Sequence, residues 1–118
     1  MNQHYNRALC DAAWDGDVPR IRALIADPQF VRRADPDTAL MHASHRGHAK
    51  AAELILGGTP ANPRARNSEA LWRAARYGRG RVVKLLLPLS DTSTWEDWQW
   101  EELPAAVQRR LGRRDARC

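Results

Sequence analysis

Gly16, Gly47 and Gly78 stand at equal intervals of 31 residues, and the chain around each repeats in register. The stretches RALCDAAWDGDVPRIRALIA, TALMHASHRGHAKAAELILG and EALWRAARYGRGRVVKLLLP superimpose on that step without a gap. Units of this size cannot bury an apolar face alone, so the period predicts a solenoid of stacked modules. Such an architecture points to binding rather than chemistry.

Each unit reads as a helical hairpin. Leu9, Leu40 and Leu71 precede the glycines by seven residues, and Ala12, Ala43 and Ala74 follow, each with a second small residue behind it (Ala13, Ser44, Ala75). Small side chains keep a helix surface flat enough for a neighbouring helix to approach. Beyond the glycines, Ile21, Ala52 and Val83 lead into the triplets Ala23-Leu24-Ile25, Leu54-Ile55-Leu56 and Leu85-Leu86-Leu87, whose helical spacing makes one buried stripe. A recurrent glycine suits a first helix that ends in the left-handed conformation, and Pro19 stands where a second helix begins.

At these residues the chain resembles the ankyrin-repeat family. Thr38-Ala39-Leu40-Met41-His42-Ala43-Ser44-His45-Arg46-Gly47-His48 is similar to the family's T-P-L-H-x-A-A-x-x-G-H, and the resemblance runs over about residues 7 to 88. The step is about two residues shorter than the usual family length, like a bacterial and viral variety whose second helix ends in Leu-Leu-Leu-Pro-x-Ser-Asp, here residues 85–91. The family's boxed His is replaced by Cys10, Met41 and Trp72, and apolar packing is expected in its place. The resemblance implies an all-α ankyrin solenoid forming one domain over residues 1–118. Its repeats are set at about 7–37, 38–68 and 69–90, followed by a Trp-rich capping half-repeat at 91–112 and a basic tail at 113–118.

Composition agrees with one small domain. The 118 residues are too few for two cores, and no stretch approaches the run of about 18 apolar residues that spans a bilayer. The start MNQHYNRALCDAAWDGD lacks a secretory pattern, and two cysteines, Cys10 and Cys118, make no disulfide framework. A cytoplasmic monomer with a reduced, structural Cys10 is the expectation. The first unit, with Arg20 and Arg22 on its second helix, serves as the polar N-terminal cap. At the other end Leu103, Ala106 and Val107 repeat the spacing of Leu71, Ala74 and Ala75 with one residue inserted, behind Pro104.

Two features admit two readings each. Trp95, Trp98 and Trp100 either roof the third unit or form an aromatic patch for a partner. Arg64, Arg66, Arg73, Arg76, Arg79, Arg81 and Lys84 crowd the third unit against one acid, Glu69. That excess is either neutralised by the acids around the tryptophans or offered to a partner.

No motif for catalysis is present, and no cofactor is implied. His42, His45 and His48 stand three apart, but His48 follows the helix-ending glycine and no further ligand has suitable spacing, so no metal is expected. In ankyrin-like stacks the two residues before each glycine line a concave face. Here the resemblance places Trp14, Asp15, His45, Arg46, Arg76 and Tyr77 there, with Asp35, Asp37 and Arg66 in the adjoining loops. Broad rings with polar handles suit binding hot spots. The expected function is non-enzymatic docking of one protein, acidic or mixed in charge, in the role of an adaptor, a host-directed effector or a bacterial immunity protein. The alternative is a nucleic-acid-associated regulator using the basic third unit.

Overall fold

The three glycines do the same work in three places. In the computed structural model, which describes residues 2–29 and 35–112, Gly16, Gly47 and Gly78 take φ values of 70°, 81° and 72°. Their own N–H groups bond to the carbonyls of Ala13, Ser44 and Ala75, and the following N–H groups of Asp17, His48 and Arg79 reach Ala12, Ala43 and Ala74 at 2.9, 2.9 and 2.7 Å. This paired closure satisfies carbonyls that a helix end would otherwise strand. It also fixes the angle at which each second helix leaves.

The hairpins are α1 (Asn2–Asp15) with α2 (Val18–Ile25), α3 (Pro36–Arg46) with α4 (Ala49–Gly58), and α5 (Ala65–Arg76) with α6 (Gly80–Leu86). A 3₁₀ turn, Leu87–Leu89, extends α6, and two short helices follow, α7 (Asp97–Glu101) and α8 (Ala105–Arg110). No strand occurs among the described residues. First helices pack on first helices, α1 on α3 on α5, and second helices form the other layer. The molecule is accordingly elongated, 50 × 21 × 19 Å.

Side-chain oxygens start the helices where the sequence provides them. Asp17 Oδ1 accepts from the Arg20 N–H at 3.2 Å, and Asp35 accepts from the Thr38 N–H at 3.3 Å and the Thr38 hydroxyl at 2.7 Å. Gln99 Oε1 reaches back to the Glu96 N–H at 3.0 Å.

The register of the sequence is the register of the core. Leu9, Leu40 and Leu71, the alanines behind them, and Ile21, Ala52 and Val83 are all buried between the layers. Each leucine contributes about 1.5–3 kcal/mol by leaving water. Ser44 is buried among them because its hydroxyl donates to the Leu40 carbonyl at 2.7 Å. Arg20 and Arg22 are exposed on α2, which gives the first unit its polar outer side.

The C-terminal half-unit is not a copy of the others. Leu103 and Leu111 carry its burial, whereas Ala106 is exposed, unlike the buried Ala74 that its spacing echoes. The helix starts only after Pro104 and is six residues long, so it turns a different side inward. Trp95 and Trp100, 6% and 8% exposed, meet edge to face at 5.0 Å and close the end of the third unit. Trp98 is 52% exposed and packs edge-on against Trp72 at 5.8 Å. Trp95 and Trp100 thus roof the third unit, whereas Trp98 lies at the surface of that roof. Trp72 adds more than apolar packing, since its indole N–H donates to the Gln99 carbonyl at 2.9 Å.

Candidate functional site

The ends of the first helices stand side by side, which sets the residues before each glycine in a row. The Trp14 ring lies 5.4 Å from His42, edge to face, and 5.4 Å from His45; His45 lies 4.2 Å from the Tyr77 ring. Over the two outer rings sit guanidinium groups, Arg46 at 5.1 Å from Trp14 and Arg76 at 5.6 Å from Tyr77. Trp14 is 38% exposed and Tyr77 48%, so the ladder keeps contact with solvent along its length.

Two side chains bind the rungs to the scaffold. His48 passes over Gly16 and its Nε2 donates to the Trp14 carbonyl at 3.0 Å; Arg79 passes over Gly47 and its Nε donates to the His45 carbonyl at 3.0 Å. A Cβ on Gly16 would lie 2.6 Å from the His48 ring, and one on Gly47 would lie 2.7 Å from Arg79 Cδ. Glycine is needed there for passage as well as for its backbone. The same bond, shifted by one repeat, holds both steps of the ladder.

Arg73 fixes the middle rung. One arm donates to His45 Nδ1 at 3.2 Å and the other to Glu69 Oε1 at 3.2 Å. A guanidinium only donates, so His45 is neutral in this contact and carries its proton on Nε2. Burial, and after it the Arg73 charge, hold His42 and His45 below the ordinary imidazole value; Arg79, His42 and Arg46 push His45 the same way. Asp11 pulls His42 weakly in the opposite direction.

Of the nine residues expected at the face, five come together in this ladder: Trp14, His45, Arg46, Arg76 and Tyr77. Asp15 is exposed beside Trp14. Asp35 and Asp37 are committed to structure: Asp35 caps α3, and Asp37 Oδ1 accepts from the Asn62 N–H at 2.6 Å, tying down the next loop. Arg66 lies apart, in a left-handed turn with Asn67 and Ser68, 3.8 Å from Glu69. Sequence reasoning overlooked His42, His48, Arg73 and Arg79 as parts of the site. Their signal was positional, because His48 and Arg79 occupy one register and Glu69 and Arg73 stand one helical turn apart.

The charges of the third unit are offset in part. Arg76 reaches Glu102 of the acidic segment at 3.8 Å, Arg73 and Arg66 share Glu69, and the Arg64 charge helps lower the Asp91 carboxyl, after its two bonds from Ser93. Cys10 is half-buried; burial, with Asp35 and Asp11, raises its thiol to about 11 and keeps it protonated. Among the described residues no three His, Cys, Asp or Glu side chains converge on one metal position, and no helix is long and apolar enough to cross a membrane.

Stacked hairpins with a continuous ring-and-guanidinium face define a helical-repeat binding module. The chain belongs to the ankyrin-repeat family: the description "Ankyrin repeats (3 copies)" matches residues 9–94. Repeats of this family generally mediate protein–protein interaction and are typically non-enzymatic. Neither comparison with curated proteins nor comparison with solved structures returned a match.

Proposed function

We propose that the chain docks one protein partner of acidic or mixed charge on the face built by Trp14, His45, Arg46, Arg76 and Tyr77. The observation that carries this reading is the unbroken ring contact across three units, 5.4 Å and then 4.2 Å, left open to solvent. Rings fixed before binding lose little side-chain entropy on association, and Trp, Tyr and Arg are the side chains that dominate interface energies. A short stack with one such face suits an adaptor or a bacterial immunity protein, each of which occupies a single target. It acts as a monomer in this reading.

The nucleic-acid alternative fares less well, because the basic third unit spends Arg66 and Arg73 on Glu69 and sets Arg76 against Glu102. The test is co-purification of the partner with the wild-type chain and with a W14A/R46A/Y77A variant. Loss of the partner with helicity retained by circular dichroism supports the face; undiminished capture by the triple variant removes it.

A further inference from the structure

We propose that the protein docked on the ladder inserts a histidine ring over Gly78, where its N–H donates to the Arg76 carbonyl. The inference rests on the protein-docking reading above and adds a contact beyond the last rung.

The chain fills the equivalent position twice with its own side chains. His48 crosses Gly16 to the Trp14 carbonyl, and Arg79 crosses Gly47 to the His45 carbonyl, each acceptor standing two residues before its glycine. Gly78 repeats the backbone of those positions: its φ is 72°, its N–H bonds to the Ala75 carbonyl at 3.3 Å, and the next N–H bonds to Ala74. The Gly80 N–H turns to the Gly78 carbonyl at 3.1 Å, as the Ala49 N–H turns to that of Gly47. Local geometry therefore sets the Arg76 carbonyl where the Trp14 and His45 carbonyls stand. Among the described residues, however, a Cβ on Gly78 would meet nothing within 4 Å, against 2.6 and 2.7 Å at the two filled positions.

The cap does not supply the missing side chain. Arg110 stands 31 residues beyond Arg79, but its guanidinium approaches Gly80, 4.0 Å from where a Cβ would lie, and the next residue is the buried Leu111. A cleft of about 140 Å³ is left between Ala75, Gly78, Gly80, Val83, Val107 and Arg110. A cavity of about 150 Å³ admits a benzene ring, so this one has room for a planar side chain.

Chemistry selects the occupant. The acceptor asks for an N–H, and the walls formed by Ala75, Val83 and Val107 ask for a flat body. Arg110 at the rim disfavours a further cation. Neutral imidazole meets all three demands, as His48 does over Gly16. A second copy of this chain stacked end to end does not, because the residue in that register of its first unit is Asp17, whose carboxylate only accepts.

The experiment is an amide NMR titration of the isotopically labelled chain with 4-methylimidazole, with its isomer 1-methylimidazole, which has no ring N–H, and with methylguanidinium. At about pH 8, 4-methylimidazole is expected to shift the amides of residues 78, 79 and 107 saturably and about tenfold more tightly than its isomer, and at about pH 5, where the ring is charged, to lose that binding. G78A, which places a methyl in the notch, and V107F, which fills the cleft from α8 and leaves the glycine backbone intact, are each expected to abolish the shifts. V107F is also expected to weaken binding of the co-purified partner about tenfold. Equal binding of the isomer, tighter binding of methylguanidinium, shifts that survive both variants, or no saturable shift at all overturns the proposal. If V107F keeps the partner at full affinity while W14A/R46A/Y77A loses it, the docking face stands and the histidine contact alone is refuted.

Discussion

At the scale of single residues, the glycines separate two demands that usually occur together. Gly16 and Gly78 share the left-handed conformation, at φ 70° and 72°, but a Cβ would strike the His48 ring at Gly16 and meet nothing within 4 Å at Gly78. Gly78→Ala is therefore expected to cost only the backbone part, about 1 kcal/mol, and Gly16→Ala about 1–2 kcal/mol more, because the His48 bond to Trp14 is lost as well. Urea denaturation of the two variants measures the difference; equal costs would mean that His48 contributes nothing to the step.

Titration gives a second residue-scale expectation. His42 and His45 are held below their ordinary value of 6.5 in the folded chain, and unfolding returns them to it. Just below pH 6.5 the unfolded state then binds more protons, so stability falls as pH falls and is unaffected by these groups well above it. The melting temperature of the wild type is expected to drop between about pH 7 and pH 5 by more than that of H42Q/H45Q. A drop of the same size in both would exclude the ladder as its source.

At the scale of elements, the interest lies where α5 begins. Arg66, Asn67 and Ser68 have φ between 54° and 58°, a left-handed turn without glycine, which costs roughly 1–2 kcal/mol per residue unless surroundings hold it. The C-terminal segment does so: the Trp95 indole donates to the Asn67 carbonyl, and the Asp91 N–H donates to the buried Ser68 hydroxyl at 2.9 Å. Trp95→Ala is expected to destabilise by about 3–5 kcal/mol and Trp98→Ala, which gives up its edge contact with Trp72, by about 1 kcal/mol. Thermal melts compare them, and equal effects would contradict the division of the tryptophans between core and surface.

These elements also show what sequence reveals. The hairpins were legible because the same side chains recur every 31 residues, and the ladder was half legible because its rungs precede the glycines. The left-handed turn was hidden, since of its three residues only Asn67 belongs to a type that favours that conformation. The half-repeat keeps the phase at Leu103, buried like Leu71, and loses it at Ala106, which is exposed, because one inserted residue and a helix that starts only after Pro104 shift it out of the register of the full units. Arg73 could not be assigned from the chain alone, because its partner His45 lies in another unit.

At the scale of the molecule, one repeated device has both structural and functional consequences. The side chains after Gly47 and Gly78 cross to carbonyls of the preceding unit, His48 to Trp14 and Arg79 to His45, and this joins hairpins while aligning the rungs above them. The proposed docking face is thus a by-product of how the stack is fastened, and its rigidity follows from the same bonds. The two ends of the solenoid differ, one closed by a polar helix and the other by Trp95 and Trp100, so the continuous exposed feature lies along its side. Titration calorimetry of the co-purified partner against the wild type, W14A/R46A/Y77A and W98A tests this most directly. The expected result is binding by the wild type and W98A and none by the triple variant; full affinity in the triple variant with loss in W98A would place the contact at the cap and contradict the assignment of the ladder.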